Sequence, residues 1–375
     1  EAVELRDGDS NKFNGKSVYK AVDNINEIIL KKIDNIDFTS LEEFDNFLIE
    51  LDGTQNKSNL GANAILACSI TFLKCISKNN NQEVYEFLNN DGTFSLPTPL
   101  MNIINGGAHA NNGLDIQEFM VVPAGFNTFS DSLRAGVEIF QNLKDLLNKD
   151  GHSTAVGDEG GFAPNLDSNE QALVYISNAV NEAGYELGKE IFFALDVAAS
   201  EIFTNGKYSI DNRILSSDDI TNYFQELITK FPIISIEDPL DEDDWNGWIN
   251  LNTAIGKKVL TVGDDLFVTN KDRLKKGILK KAANSILIKP NQIGTFSETI
   301  ETINLAKSNS IENIISHRSG ETEDNFISDL AVGTNSKIIK TGSVNRSERC
   351  SKYNRLLYIE KNNKDLQFAG NEFDV

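Results

Sequence analysis

The sequence predicts an α/β protein in which a (β/α)8-type barrel follows a smaller, mostly helical domain. Three observations support this fold class. From about residue 190 onward, short apolar runs recur and each ends in one polar residue. Helix-like stretches, such as 218–231 and 297–308, separate these runs. Residues before 96 show helical periodicity instead, and at about 150 residues per domain a chain of 375 residues is expected to form two domains.

The first domain is predicted to span residues 1–95. Ser40 and Glu43 form a capping-box pattern ahead of an apolar run of helical period, and this predicts a helix that ends at 52–53. Residues 61–76 predict a second, buried helix. A turn-forming cluster at 89–92 and a pair of prolines soon after it predict the boundary, so the barrel is predicted at 96–375.

The polar residues that end the apolar runs of the second domain follow one another at steps of 23 to 41 residues. They are Asp196, Glu237, Asp264, Lys289, His317 and Lys340. A strand with its returning helix takes about thirty residues, so this spacing predicts βα units. Six units are most of an eight-stranded barrel, in which residues at the carboxyl ends of the strands share one mouth.

Three carboxylates in succession at this mouth predict a metal site. Asp196, Glu237 and Asp264 would converge on a hard cation with oxygen ligands, most simply Mg²⁺. A single Asp or Glu after a strand is more often a helix cap or a turn former. Three in consecutive units, followed by Lys, His and Lys at the same register, favour the metal site.

Other candidate residues lie in turns. His109 and Glu159 each lie in a glycine-rich turn, which lets backbone and side chain approach a ligand closely; an ordinary solvent-facing turn stays open as the alternative. Arg318 and Ser319 directly follow a predicted strand, where a guanidinium and a hydroxyl suit a phosphate or a carboxylate.

The composition excludes several classes of protein. With 35 Lys and Arg against 56 Asp and Glu, the formal net charge is −21, and a field of this sign repels nucleic acid and anionic membrane surfaces. The apolar stretches are too short for a membrane span. The heptad spacing of Cys68 and Cys75 predicts reduced core thiols, which is typical of a cytoplasmic protein. An anionic substrate would need cations placed locally.

As a set, the motifs resemble the enolase family. They follow the family's order over essentially the whole chain. The matching stretches are EAVELRDGD (1–9), GANAIL (61–66), NGGAH (105–109), QEFM (117–120), AVGDEGG (155–161), SIEDP (235–239), GDDL (263–266), Lys289 with NQIG (291–294), SHRSGETED (316–324) and IKTG (339–342).

The resemblance implies a (β/α)8-type barrel of the enolase superfamily behind a truncated α+β domain. It also implies a Mg²⁺-dependent hydro-lyase, a phosphopyruvate hydratase that converts 2-phosphoglycerate to phosphoenolpyruvate in glycolysis and acts in reverse in gluconeogenesis. Asp196, Glu237 and Asp264 would hold the tighter of two Mg²⁺ ions. Lys289 would be the base that removes the C2 proton, and Glu159 the acid that helps to expel the C3 hydroxyl.

The remaining implied roles concern substrate binding. Arg318 and Ser319 would hold the phosphate, Lys340 the carboxylate, and His109, Gln117, Glu118 and His317 would line the substrate. Because a base must be neutral and an acid protonated, we expect the nearby metal charge and Lys340 to lower the Lys289 pKa, and we expect Glu159 to hold a proton.

The sequence departs from the family at three points. Relatives carry several dozen residues before the position of Glu1, and a serine in that segment ligates the second Mg²⁺; nothing in the given sequence can replace it, so impaired activity is expected. The resemblance implies a homodimer or higher oligomer, and by analogy a second pool at the cell surface. Tyr358, where many relatives have an interface arginine, and the terminal Val375 in place of lysine weaken these two expectations.

Two alternatives stay open. The chain could serve as a non-catalytic scaffold that uses the same fold. It could also be another barrel enzyme, either an acid-sugar dehydratase or an aldolase that forms a Schiff base on Lys289.

Overall fold

The N-terminal region is helical, as predicted. The computed structural model describes residues 1–89, 92–363 and 366–372, with the backbone alone at 371–372. A π-helical segment, Asn24–Ile29, joins the first two helices. The helices of this region are α1 (Tyr19–Asp23), α2 (Leu30–Ile33), α3 (Leu41–Asp52), α4 (Ala62–Asn79) and α5 (Val84–Leu88). Residues 90 and 91 of the predicted turn, like Val375, lie outside the described residues.

Helix α3 begins and ends where the sequence predicts. The Ser40 hydroxyl accepts a hydrogen bond from the Glu43 amide at 3.1 Å, while the Glu43 carboxylate accepts from the Thr39 amide at 2.7 Å, one residue before the position of a standard capping box. Gly53 has a φ of 70° and supplies the left-handed residue that ends the helix. The second predicted helix is α4, which continues three residues beyond Ile76.

The prediction that Cys68 and Cys75 are both core thiols is wrong for Cys75. Cys68 is half-buried, and burial raises the pKa of its thiol to about 11. Cys75 is exposed because the buried face of α4 passes through Ser69 and Leu73 instead. Two serines, Ser69 and Ser77, are fully buried on that face. The spacing of apolar residues therefore predicts the wrong buried face for α4.

A closed barrel of eight strands forms the core of the C-terminal region. Six of its strands are the apolar runs that the sequence singles out, and β2 and β3 complete it. The strands of the chain are β1 (Ser95–Leu96), β2 (Thr98–Asn105), β3 (Glu118–Pro123), β4 (Ile191–Asp196), β5 (Phe203–Thr204), β6 (Lys207–Ile210), β7 (Arg213–Leu215), β8 (Ile233–Glu237), β9 (Leu260–Gly263), β10 (Ser285–Ile288), β11 (Glu312–Ser316), β12 (Ile338–Lys340) and β13 (Gln367–Phe368). Around the barrel the order is β2, β3, β4, β8, β9, β10, β11 and β12.

Helices surround the barrel and bury its outer face. They are α6 (Phe129–Lys149), α7 (Asn169–Glu182), α8 (Ser217–Lys230), α9 (Trp245–Ile255), α10 (Lys271–Lys280), α11 (Pro290–Ile293), α12 (Phe296–Ser308), α13 (Phe326–Gly333) and α14 (Ser347–Asn362). One side chain from most strands, such as Leu100 of β2 and Ile314 of β11, fills the interior. The small β5–β7 sheet and the β1–β13 pair lie outside the barrel.

Strand β3 runs antiparallel to both of its neighbours. Its first residue, Glu118, therefore lies beside the last residues of β2 and β4, Asn105 and Asp196. Since β3 runs away from the mouth of the barrel, α6 and α7 follow one another before β4, and the connection between them returns to the mouth. Phe162 in this connection accepts a hydrogen bond at its carbonyl from the Asn105 amide at 2.8 Å.

The N-terminal helices meet the barrel at the start of α12. The buried Asp45 carboxylate accepts hydrogen bonds from the Ser297 amide at 2.8 Å and from the Ser297 hydroxyl at 2.6 Å. Lys57 pairs with Glu298 at 3.0 Å, and the Ser69 hydroxyl accepts from the Phe296 amide at 3.0 Å. The division of the chain at 95/96 stays a prediction. Across the part of the chain that the structure describes, every helix is too short or too polar to cross a membrane.

Candidate active site

Lys340 joins two of the three carboxylates predicted to bind metal, Asp196 and Glu237, to Glu118. Its Nζ lies 2.7 Å from Glu237 Oε2, 2.8 Å from Asp196 Oδ2 and 3.1 Å from Glu118 Oε1. Asp196, Glu237 and Lys340 are the last residues of their strands, and all are buried. Burial acts to lower the Lys340 pKa, but the surrounding carboxylates, Asp196 first, raise it well above its usual value. The ammonium group is therefore a charged member of this cluster.

Lys289 forms a second ion pair at the mouth. Its ammonium donates a hydrogen bond to Asp264 Oδ2, and the Gln292 amide donates to Asp264 Oδ1 at 2.9 Å. The lowering of the Lys289 pKa is expected from the charge of the cation and from Lys340, and it stays a prediction; the surrounding protein groups together act in the opposite direction. Burial does act to lower this pKa, but the negative charges of Asp264 and Glu237 outweigh burial and raise it.

Glu159 faces the same cavity from the connection between α6 and α7. Its Oε2 accepts a hydrogen bond from the Asn102 amide at 3.2 Å and lies 3.3 Å from His317 Nε2. His109 Nδ1 lies 3.9 Å from Glu159 Oε1 and 3.8 Å from Glu118 Oε1. His109 and Glu159 thus line the cavity and are largely shielded from bulk solvent, which disfavours the alternative of ordinary solvent-facing turns.

The predicted proton on Glu159 is not favoured in this structure. Burial acts to raise the Glu159 pKa, but the positive ends of His317 and Lys340 lower it well below its usual value. Burial and the charge of Glu159 raise the pKa of Glu118 instead. Of these two neighbouring carboxyls, Glu118 is the one that holds a proton more readily.

One cavity of about 160 Å³ collects the predicted residues. Arg318 lies at its rim, where it pairs with Glu1 at 2.9 Å, and Ser319 is exposed beside it. Glu237 does not line the cavity, but it pairs with the Lys340 ammonium, which does. The predicted residues that line the cavity are His109, Gln117, Glu118, Glu159, Asp196, Asp264, Lys289, His317, Arg318, Ser319 and Lys340.

The donor types fit a hard divalent cation, although the three predicted ligands are not drawn together. Among the described residues, the groups whose ligand atoms lie within 4.8 Å of one another are His109, Glu118 and Glu159, and Asp238, Asp264 and Asp265. Within the described residues, Glu237 Oε1 and Glu118 Oε2 are buried without a hydrogen-bond partner. Burial and the neighbouring Asp196 charge raise the Glu237 pKa well above its usual value, which is the mark of a carboxylate short of positive charge. The carboxylates around the cavity outnumber its two ammonium groups. Oxygen donors of this kind are those that Mg²⁺ prefers.

Comparison with known proteins decides the family. A family model described as "Enolase, N-terminal domain" matches residues 1–88, and one described as "Enolase, C-terminal TIM barrel domain" matches residues 93–375. A protein of Bdellovibrio bacteriovorus named "Enolase" is 52% identical over 361 residues, which cover 96% of this chain and 86% of that protein. The chain belongs to the enolase family.

Membership of the enolase family makes the chain a hydro-lyase, a phosphopyruvate hydratase. It also explains why the mouth of the barrel is rich in oxygen donors, since the family depends on Mg²⁺. The sequence predicts the family and the fold class correctly from the ordered motifs.

Glu201 and two carboxylates that directly follow predicted ligands also line this enolase-family site, and none of the three was predicted from the sequence. Asp238 and Asp265 line the same cavity. Asp238 accepts hydrogen bonds from the amides of Asp264 at 3.0 Å and Asp265 at 2.8 Å, and it does so with a φ of 39°. Burial and the Asp264 charge raise the pKa of Asp265 to about 6. Each directly follows a predicted ligand, and only one residue per strand end was considered.

Proposed function

We propose that the chain interconverts 2-phosphoglycerate and phosphoenolpyruvate, forward in glycolysis and in reverse in gluconeogenesis. One observation supports this most strongly. Lys289 and Glu159, a base and an acid, line one small cavity with Asp196, Asp264 and the cationic Lys340. A proton next to a carboxylate is weakly acidic, and a cavity of this charge pattern suits its removal.

We assign the two proton-transfer roles as follows. Lys289 Nζ takes the proton from C2, and Glu159 gives a proton to the departing C3 hydroxyl, so that one water leaves. When bound, Mg²⁺ held by Asp196, Glu237 and Asp264 supplies positive charge where negative charge builds up on the substrate carboxylate. Arg318 and Ser319 hold the phosphate at the rim, and Lys340 orients the carboxylate. His109, Gln117, Glu118 and His317 line the rest of the substrate.

The raised Lys289 pKa agrees with this assignment once the ligands are considered. Lys289 keeps its proton here because Asp264 and Glu237 lie beside it. The same two carboxylates are proposed ligands of the cation, so in the loaded enzyme their charge is shared and no longer favours the Lys289 ammonium.

Three expectations about the whole protein are proposals as well. We propose a homodimer or higher oligomer, a location in the cytoplasm with a second pool at the cell surface, and two domains that divide at 95/96. Tyr358, half-exposed on α14 under the Arg355 guanidinium at 5.1 Å, is the residue to replace when the oligomer is tested.

The test of the function is the Mg²⁺-dependent rise in ultraviolet absorbance as 2-phosphoglycerate becomes phosphoenolpyruvate. It is run on a protein that begins at Glu1 and on one that carries the family's upstream segment. We expect activity from the longer protein and much less from the shorter one, because the family's serine ligand of the second Mg²⁺ lies upstream. A longer protein that is folded, binds Mg²⁺ and is still inactive contradicts the proposal and supports the scaffold alternative.

A further inference from the structure

A single buried guanidinium connects two loops of the proposed active site. Arg349, in the first turn of α14, is 1% exposed and does not line the cavity. Its NH1 lies 2.5 Å from His317 Nδ1 and donates to the Arg318 carbonyl at 2.6 Å. Its NH2 donates to the Ser319 carbonyl at 2.7 Å and to the Asp158 carbonyl at 3.2 Å. The side chain therefore binds the loop after β11 and the loop of Glu159.

The contact with His317 determines which ring nitrogen bears hydrogen. A guanidinium has donors alone and keeps its charge at any ordinary pH. Nδ1 of His317 must therefore accept, and the hydrogen of the neutral imidazole must be on Nε2. Nε2 lies 3.3 Å from Glu159 Oε2, a close approach that lacks the alignment of a hydrogen bond in this structure. The opposite tautomer would set two N–H groups against each other at 2.5 Å.

The packing leaves the ring little freedom to turn away. Gly342 has a φ of 80°, and a Cβ there would lie 2.8 Å from Arg349 Cδ and 3.0 Å from His317 Cε1. Tyr353 donates its hydroxyl hydrogen to the Gly342 carbonyl at 2.6 Å and closes this side. The charged groups that act on the imidazole are Glu159 and Lys340 besides Arg349 itself.

We propose that Arg349 is a positioning residue that fixes His317 as the Nε2–H tautomer and so presents a hydrogen-bond donor to the Glu159 carboxylate. The catalytic consequence rests on the proposed function, in which Glu159 is the acid. The tautomer itself does not depend on it. Without Arg349, His317 is free to take either tautomer, and the Nδ1–H form turns a lone pair towards Glu159 and repels its carboxylate.

The tautomer can be measured directly by ¹⁵N NMR of the imidazole rings in the full chain. The chain has three histidines, so the His317 signals are assigned by their loss in His317→Gln. We expect pure Nε2–H for His317 in the wild type, a mixture of tautomers in Arg349→Met, and recovery of Nε2–H in Arg349→Lys, which restores a charged donor. A pure Nε2–H signal in folded Arg349→Met overturns the proposal.

Lys352 offers a matched control. It is a buried cation one turn further along α14, and its ammonium donates to the carbonyls of Thr322 at 2.5 Å and Glu348 at 2.6 Å without touching His317. Lys352→Met should leave the His317 tautomer unchanged; a mixture in this variant would show that loss of any buried cation suffices and would overturn the specific role of Arg349. If Arg349→Met does not fold, Arg349→Gln replaces it, because an amide can donate or accept and again permits both tautomers.

Kinetics supply the second readout. Arg349→Met should lower kcat about 100-fold, the scale of a misplaced catalytic group, with a much smaller change in KM for 2-phosphoglycerate. A rise of about 100-fold in KM with an unchanged kcat would contradict a role of Arg349 that acts through Glu159. These assays use the protein that carries the upstream segment. If that protein, without any substitution, lacks activity on 2-phosphoglycerate, the proposed function fails, while the NMR result still decides the inference about Arg349.

Discussion

At the scale of single residues, Lys340 shows how one ammonium group stabilises a cluster of like charges. It lies within about 3 Å of three buried carboxylates. Lys340→Met removes this charge and leaves them uncompensated, so we expect a loss of about 3–5 kcal/mol in the free energy of unfolding. Urea unfolding at pH 7 measures the loss, and added Mg²⁺ should recover part of it by binding the folded state alone. The exposed Lys144→Met is the control, and an equal loss there would contradict the explanation.

His317 gives a pH dependence of stability. Burial, opposed in part by Glu159, lowers its pKa to about 4, against about 6.5 in an unfolded chain. Between these values the unfolded state binds more protons, so stability rises with pH from 4 to 6.5 and is fully present above 6.5. The contribution is about 3 kcal/mol. The free energy of unfolding should fall less steeply from pH 7 to pH 4 in His317→Gln than in the wild type. His152→Gln, at a half-buried site, should keep the wild-type slope.

The proposed acid and base predict two inactive enzymes. Lys289→Ala and Glu159→Gln, in the protein with the upstream segment, should each lower kcat by about 10³-fold or more, because each removes one proton transfer. Steady-state assays measure kcat, and circular dichroism verifies the fold. A rate within about tenfold of the wild type for either variant would remove that residue from the proposed mechanism.

The sequence predicted most of the site residues because parallel strands place their last residues at one end of the barrel. Asp196, Glu237 and Lys340 follow this rule. Glu118 does not, since it is the first residue of a strand that runs the other way. Glu159 does not either, because it lies between two helices. Glu159 is a candidate from its glycine-rich turn and Glu118 from the family resemblance alone, and neither follows from the strand spacing.

At the scale of secondary-structure elements, two barrel strands lacked a pattern that could identify them. Strand β2 contains Pro99 and the buried Asn102, and the prolines there were interpreted as a domain boundary. Strand β3 has no crossover helix before it, so the thirty-residue spacing does not include it. The sequence predicts the bounds of the helices more accurately. Helices α8 and α12 each begin and end within one residue of the predicted bounds.

Asp244 connects three elements through one carboxylate. It accepts hydrogen bonds from the Gly247 amide at 3.0 Å as the N-cap of α9, from the Tyr208 hydroxyl of β6 at 3.0 Å and from Ser217 of α8 at 2.5 Å. Asp244→Ala should lower the free energy of unfolding by about 2–3 kcal/mol, because α9 loses its N-cap and a buried hydroxyl is left unpaired. Thermal or urea unfolding measures this. Asp272→Ala, at an exposed position paired with Lys275, should cost less than about 1 kcal/mol, and similar costs for both would contradict the network.

At the scale of the whole molecule, the contact between the N-terminal helices and the barrel was beyond sequence reasoning. It depends on Asp45 and Ser297, which are 252 residues apart, and no periodicity relates them. In the structure Asp45 is fully buried against the first turn of α12, where the helix dipole also favours a carboxylate.

Asp45→Ala should weaken the coupling between the two parts of the chain. We expect one calorimetric unfolding transition for the wild type and two for Asp45→Ala, because the Ser297 amide and hydroxyl lose their acceptor. Asp45→Asn keeps one acceptor oxygen and should give an intermediate result. One unbroken transition with an unchanged midpoint in Asp45→Ala would show that the apolar contacts alone hold the two parts together.

The register of the barrel has a consequence for the order of folding. Strand β12 closes the barrel by pairing Ile338 and Lys340 with Thr98 and Leu100, about 240 residues earlier in the chain. Contacts of such long range form late, since the intervening chain must first lose its freedom, whereas the β2–β3 hairpin is local. During synthesis, the carboxylates of β4 and β8 are therefore in place before Lys340 leaves the ribosome. In a nascent chain, Asp196 and Glu237 acquire the Lys340 ammonium only when the barrel closes.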